Sequence, residues 1–168
     1  MKRLFSLFTL LVFSLTLIAQ TKATRQADAL FAQGNFRQAA TAYGNLARSA
    51  ERSKRSPAFE LSHVYNRLGE SHLNLREYAQ AEAAFVKARE NGARDIRFLI
   101  NFGDVFLANN KAQQALDLFQ QALAENPEHI EAQDRVRRAQ FHIASANNPS
   151  IALHPVDLET ALNTPTNN

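Results

Sequence analysis

A chain of 168 residues, 45% of them hydrophobic, is long enough for one domain of ordinary size. It contains no cysteine, which excludes disulfides, a thiol nucleophile and lipid attachment through a cysteine, so folding rests on packing alone. The formal net charge is +3. Setting Lys2 and Arg3 aside leaves 17 of the 19 basic side chains against 16 acidic ones, without the broad positive field that nucleic acid requires.

Lys2 and Arg3 precede an uncharged run from Leu4 to Ala19. That run is short for a membrane span and of the right length for the apolar region of a secretory leader. Residues 1–20 are therefore expected to be a signal peptide, cut after Ala19, Gln20 or Ala23, with the mature chain in the periplasm or cell envelope. The rival expectation is an uncleaved anchor. Further on, Arg48, Arg52, Lys54 and Arg55 gather on the solvated end of a helix. Such a run is ordinarily a soluble face; a docking patch for an acidic partner or anionic lipid is the sharper reading.

The segment from Tyr65 to Gly92 contains Leu68-Gly69, Ala81, Phe85 and Ala88, and the arrangement returns 34 residues later as Phe102-Gly103, Ala115, Phe119 and Ala122. Tyr65 and His72 in the first copy correspond to Leu99 and Phe106 in the second, which also carries Pro127. A weaker copy precedes both, with Ala27, Leu30, Ala39 and Tyr43 in equivalent places but Leu46 where alanine is expected. On these residues the chain resembles the tetratricopeptide repeat (TPR) family. The resemblance implies an all-α solenoid of three helix-turn-helix repeats and a C-terminal capping helix.

The expected repeats cover residues 21–55, 57–94 and 95–128, with a capping helix at 128–146 closing a domain at 21–146. Gly69 and Gly103 stand where two helices cross closely, and Phe85 and Phe119 are expected to fill the space between one repeat and the next. The longer link between the first two repeats is placed in an extended helix ended by Ser56-Pro57, a good cap and first-turn pair. Asn91-Gly92 is read as a helix end and Asp95 as the next N-cap. In the capping helix Ile130, Val136 and Ile143 are expected to pack. Arg137 replaces the small residue that another close-packed helix would need. Residues 147–168, with Pro149, Pro155 and Pro165, are expected to form a flexible tail, in which "PVDLETALN" becomes a short helix if something docks it.

No catalytic constellation emerges. The five histidines carry no metal-ligand spacing, and His72 fits a packing role; the five glycines are isolated, so no phosphate loop is formed. The expectation is no enzyme activity, no cofactor and no metal. The resemblance instead implies a concave groove lined by the first helix of each repeat. By register its residues are Arg25 and Asp28 from the first repeat, then His63, Asn66, Arg67, Glu70 and Asn74 from the second. Arg97, Asn101 and Asp104 follow from the third, and Arg135 and Arg138 from the cap. Asparagine offers an extended peptide both a donor and an acceptor, and arginine forks onto carboxylates. The bland alternative is that the position shared by Asp28, Glu70 and Asp104 pairs with neighbouring cations and merely solvates the groove. The carboxylate clamp that some relatives use on a chaperone's C-terminus needs Lys and Asn where this chain has Thr24 and Asp28, so that activity is not carried over.

The function expected from sequence is a non-enzymatic scaffold or adaptor in the cell envelope, holding another protein or peptide in the groove. The alternative is a membrane-tethered structural subunit that uses its anchor and its convex or basic surface.

Overall fold

The computed structural model describes residues 22–53 and 58–148. The expected signal peptide (1–20), the Ser56-Pro57 step and tail residues 149–168 lie outside the described residues. Among the described residues there are seven helices and no strand: α1 (22–32), α2 (Phe36–Ser53), α3 (Ala58–Asn74), α4 (Tyr78–Glu90), α5 (Ile96–Ala108), α6 (Ala112–Glu125) and α7 (Ile130–Asn147). None of them is long and apolar enough to cross a membrane. The chain divides into two compact units, which meet in sequence at Arg94 and Asp95.

The first unit holds α1–α4. Ala27 on α1 and Ala39 and Tyr43 on α2 have no exposed surface, so the weakest copy of the repeat still supplies small residues and one large ring. In the next pair α3 packs on α4. A Cβ placed on Gly69 would lie 2.8 Å from the Phe85 ring, so the glycine is required by close approach. α4 ends at Asn91, whose N–H bonds to the carbonyls of Lys87 and Ala88, and Gly92 follows at φ +99, the left-handed conformation foreseen for it.

The turns inside the helix pairs carry a feature that residue types do not advertise. Gly34, Arg76 and Asn110 occupy the same repeat position, and all three have positive φ, of 75, 58 and 60 respectively. The N–H groups following Arg76 and Asn110 reach back to His72 and Phe106, at 2.9 and 2.8 Å, closing the helix ends. A non-glycine residue in this conformation costs roughly 1–2 kcal/mol, partly offset by glycine's greater freedom when unfolded. Arg76→Gly is therefore expected to raise stability by about 0.5–1 kcal/mol, measured as a shift in denaturant midpoint. A loss of stability would show that the Arg76 side chain contributes more than its backbone costs.

The second unit holds α5–α7. The Asp95 carboxylate caps α5 by accepting from the Phe98 N–H at 2.9 Å. Phe98, Phe102 and Val105 are fully buried, and the Phe102 and Phe106 rings lie 4.5 Å apart. Phe119 of α6 fills the notch opposite Gly103, where an added Cβ would lie within contact distance of three of its ring carbons, so Phe119, like Phe85 against Gly69, wedges its own helix pair and not only the space between repeats expected for it. The capping helix departs from expectation at one place. Ile130 is 80% exposed, Val136 and Ile143 are half-buried, and the fully buried residues of α7 are Ala132 and Ala139. Alanines seven residues apart let the α7 backbone lie close on α6, and Ile130, at the first helical position, points to the other side. Arg137 is exposed, as its bulk and charge require.

Candidate functional site

In the first unit the candidate residues form a paired polar face. Asp28 Oδ1 accepts a 2.5 Å hydrogen bond from the Tyr43 hydroxyl and lies 3.0 Å from His63 Nε2. Its partners thus come from α2 and α3, and Arg25, its neighbour on α1, is exposed. Burial first, and the Asp28 carboxylate second, push the Tyr43 phenol far above its ordinary range, so it serves as a permanent donor. Arg67 Nη1 donates to Glu70 Oε2 at 2.7 Å while its guanidinium sits 4.8 Å from the centre of the Phe31 ring. Glu70 is only 2% exposed, so it holds Arg67 in place and offers nothing to a ligand. Asn74 donates back to the Glu70 carbonyl at 2.8 Å. The Asn66 Oδ1 is buried without a hydrogen-bond partner.

A second network lies elsewhere on the same unit. Glu77 accepts from His72 Nδ1 at 2.7 Å and from Arg37 Nη1 at 3.3 Å. The His72 bond, helped by Arg37, holds the Glu77 carboxyl below the usual range. His72 therefore has a polar partner while occupying an aromatic position of the repeat.

The second unit contains an open cleft of about 800 Å³, lined by Asp95, Ile96, Arg97, Ile100, Asn101, Glu125, His129 and Glu131. Arg97 and Asn101 stand one turn apart on α5, and buried Ile100 gives the cleft an apolar floor. Asp104 and Arg135 are joined by a 2.6 Å bond from Arg135 Nε, and Arg135 also reaches Glu131 at 3.3 Å. Burial pushes the Asp104 carboxyl up despite the pull of Arg135. Burial pulls the Arg135 guanidinium down, but the bond to Asp104 outweighs it and the net direction is up. Arg138 is exposed and 3.9 Å from Asp134.

Two of the three recurring carboxylates, Glu70 and Asp104, bind arginines, and Asp28 takes a tyrosine and a histidine. Glu125 and His129 were missed because they belong to the ends and caps of helices and not to the first-helix register. Glu131 was missed too, although the register could have found it, since it stands where His63 and Arg97 stand in their repeats. What this cleft provides is one guanidinium, one amide, one imidazole and the carboxylates of Asp95, Glu125 and Glu131 around an apolar floor, so it offers both donors and acceptors to a polypeptide. Among the described residues no group of three His, Asp or Glu side chains is arranged to hold a metal ion.

The tetratricopeptide repeat profile matches residues 24–61, 66–130 and 100–148, well over half of the chain. The chain belongs to the tetratricopeptide repeat family. The first TPR of Spaghetti (RPAP3) bound to the HSP90 peptide SRMEEVD is similar at a TM-score of 0.63 and 17% identity, covering 75% of this chain and 94% of that one. The first TPR domain of human RPAP3 gives 0.61 at 18%, covering 77% and 95%. The second TPR domain of human RPAP3, in complex with the HSP70 peptide SGPTIEEVD, gives 0.59 at 14%, covering 70% and 92%. At these identities the likeness is one of fold. No curated protein matches the sequence.

Proposed function

We propose that this protein is a non-enzymatic adaptor of the cell envelope that captures a peptide segment or protein surface on the first-helix faces of its repeats. The observation that carries this reading is the cleft of the second unit, where Arg97 and Asn101 flank Ile100. Similar folds hold peptides in two of the structures compared above. The mode differs here, because Thr24 and Asp28 stand where a carboxylate clamp needs Lys and Asn; a chaperone C-terminus is not the expected ligand. The envelope location rests on the charge and length pattern of residues 1–20.

The test is capture of partners from an envelope extract by the parent and by an Arg97→Glu/Asn101→Ala variant. Both substitutions lie on the cleft wall and spare Arg67, whose loss would leave Glu70 buried without its cation. A partner held by the parent should bind the variant about tenfold more weakly or worse, the size of one lost charge-assisted contact of roughly 1.5–3 kcal/mol. Equal recovery by both proteins, with circular dichroism unchanged, would remove the cleft from the reading.

A further inference from the structure

The first unit carries a cavity of its own, about 350 Å³, between α2 and α3. Its α2 side is one stripe of that helix: Arg37, Ala40, Gly44 and Arg48 follow at intervals of three, four and four residues. Leu68, His72 and Leu75 line the other side, and the two leucines are only half-buried. Eleven residues separate the arginines, about 16 Å along the helix axis. The result is a groove with a guanidinium at either end and small or aliphatic residues between.

Two features distinguish this groove from an ordinary solvated seam. The first is Gly44. It lies in the middle of α2 without positive φ, where glycine is costly relative to alanine, and no packing requires it. A Cβ there would meet nothing nearer than Arg48 Nη1 at 4.0 Å, whereas Gly69 and Gly103 are bare because a phenylalanine ring presses on them. A bare backbone facing open space lets another chain approach closely. The second feature is charge. Arg48 donates to Asn45 Oδ1 at 2.6 Å and has no carboxylate partner among the described residues. Arg37, 75% exposed, donates through Nη1 to Glu77, which also takes the His72 bond. The lining thus sets two guanidiniums against one carboxylate.

We infer that this groove binds an extended polypeptide segment with acidic side chains four residues apart and an aliphatic one midway between them. In an extended chain alternate side chains share a face, so all three turn to the groove and the outer two stand about 13 Å apart. The aliphatic side chain lies over Gly44, against Leu68 and Leu75. The carboxylates meet Arg37 and Arg48, whose long side chains take up the difference in span. Such a segment is internal to its chain and needs no terminal carboxylate. This inference does not depend on the cleft of the second unit.

Fluorescence anisotropy with the full chain and a labelled peptide blocked at both ends, Glu-Ser-Leu-Ser-Glu, tests it. Control peptides carry glutamine for both glutamates, or serine for the leucine. The parent should bind the acidic peptide saturably and each control about tenfold more weakly. Arg48→Gln should weaken the acidic peptide about tenfold and leave the glutamine control unchanged. Gly44→Leu should weaken it tenfold or more while thermal stability holds or rises, since leucine is the better helix former. No saturable binding by the parent would overturn the inference, as would equal affinity for the acidic and glutamine peptides. Full binding by a folded Gly44→Leu protein would also overturn it, because the peptide would then sit elsewhere. Arg48-dependent binding to vesicles of anionic phospholipid, without peptide binding, would assign the arginines to a membrane surface instead. Should Gly44→Leu lose its helicity, Arg48→Gln decides alone.

Discussion

Phe119→Ala is expected to lower the unfolding free energy by about 3–5 kcal/mol, the range for truncating a fully buried aromatic. The ring has no exposed surface and sits against the bare backbone of Gly103. The neighbours that would have to close the gap are fixed: α5 is held by its Asp95 cap and by the tilted stack of Phe98, Phe102 and Phe106. Little collapse is available, so the cavity term adds to the lost transfer energy. Domains of this kind retain only about 5–15 kcal/mol in total, so the second unit is expected to unfold well before the first. Denaturant titration followed by helicity and by a probe in α5 would show this as an early transition. A cost below about 1 kcal/mol would mean that Phe119 is not the wedge between α5 and α6.

Filling the notch from the other side has the second largest effect. Gly103→Leu is expected to cost about 1–3 kcal/mol or more, because a branched side chain must displace the Phe119 ring or separate the helices. Gly103→Ala isolates the cause. Alanine improves helix propensity by about 1 kcal/mol, yet its Cβ alone overlaps the ring, so the net change should still be a loss. The control is Gly44→Ala, where the nearest atom to a new Cβ is Arg48 Nη1 at 4.0 Å and the propensity gain should appear undiminished. Combining Gly103→Ala with Phe119→Leu should destabilise by less than the two changes summed, because the smaller side chain makes room for the methyl group. Strict additivity would show that glycine and ring do not meet, and the register of the third repeat would fall with it.

The repeat was readable because its signature residues are selected by local geometry. Gly69 and Gly103 are small where helices cross, Ala81 and Ala115 are small on the partner helix, and Asp95 and Gly92 mark helix ends by their own backbone chemistry. Each obeys a rule confined to one helix or one pair, so a 34-residue offset in the sequence sufficed to place it. The same register put Arg97 and Asn101 on one helix and close to Ile100, where the cleft is found.

What the register could not supply was the choice among possible partners. Asp28 has Arg25 nearby in sequence, yet it binds Tyr43 and His63, because only the packing of α1 against α2 and α3 brings those side chains within 3.0 Å. Glu70 sits at a nominal groove position but is sealed beneath Arg67. Ile130 looked like core by its chemistry and is exposed, since α7 meets α6 along Ala132 and Ala139. Arg76 takes a left-handed backbone that nothing in an arginine side chain announces; the chain reversal between α3 and α4 imposes it. Sequence by itself determined that the chain is an all-α repeat array, that Asp95 begins one of its helices, and that Gly69 and Gly103 let their helices cross. Tertiary structure alone decided which charges neutralise one another and which remain at the surface, because pairing depends on the neighbouring helix that arrives.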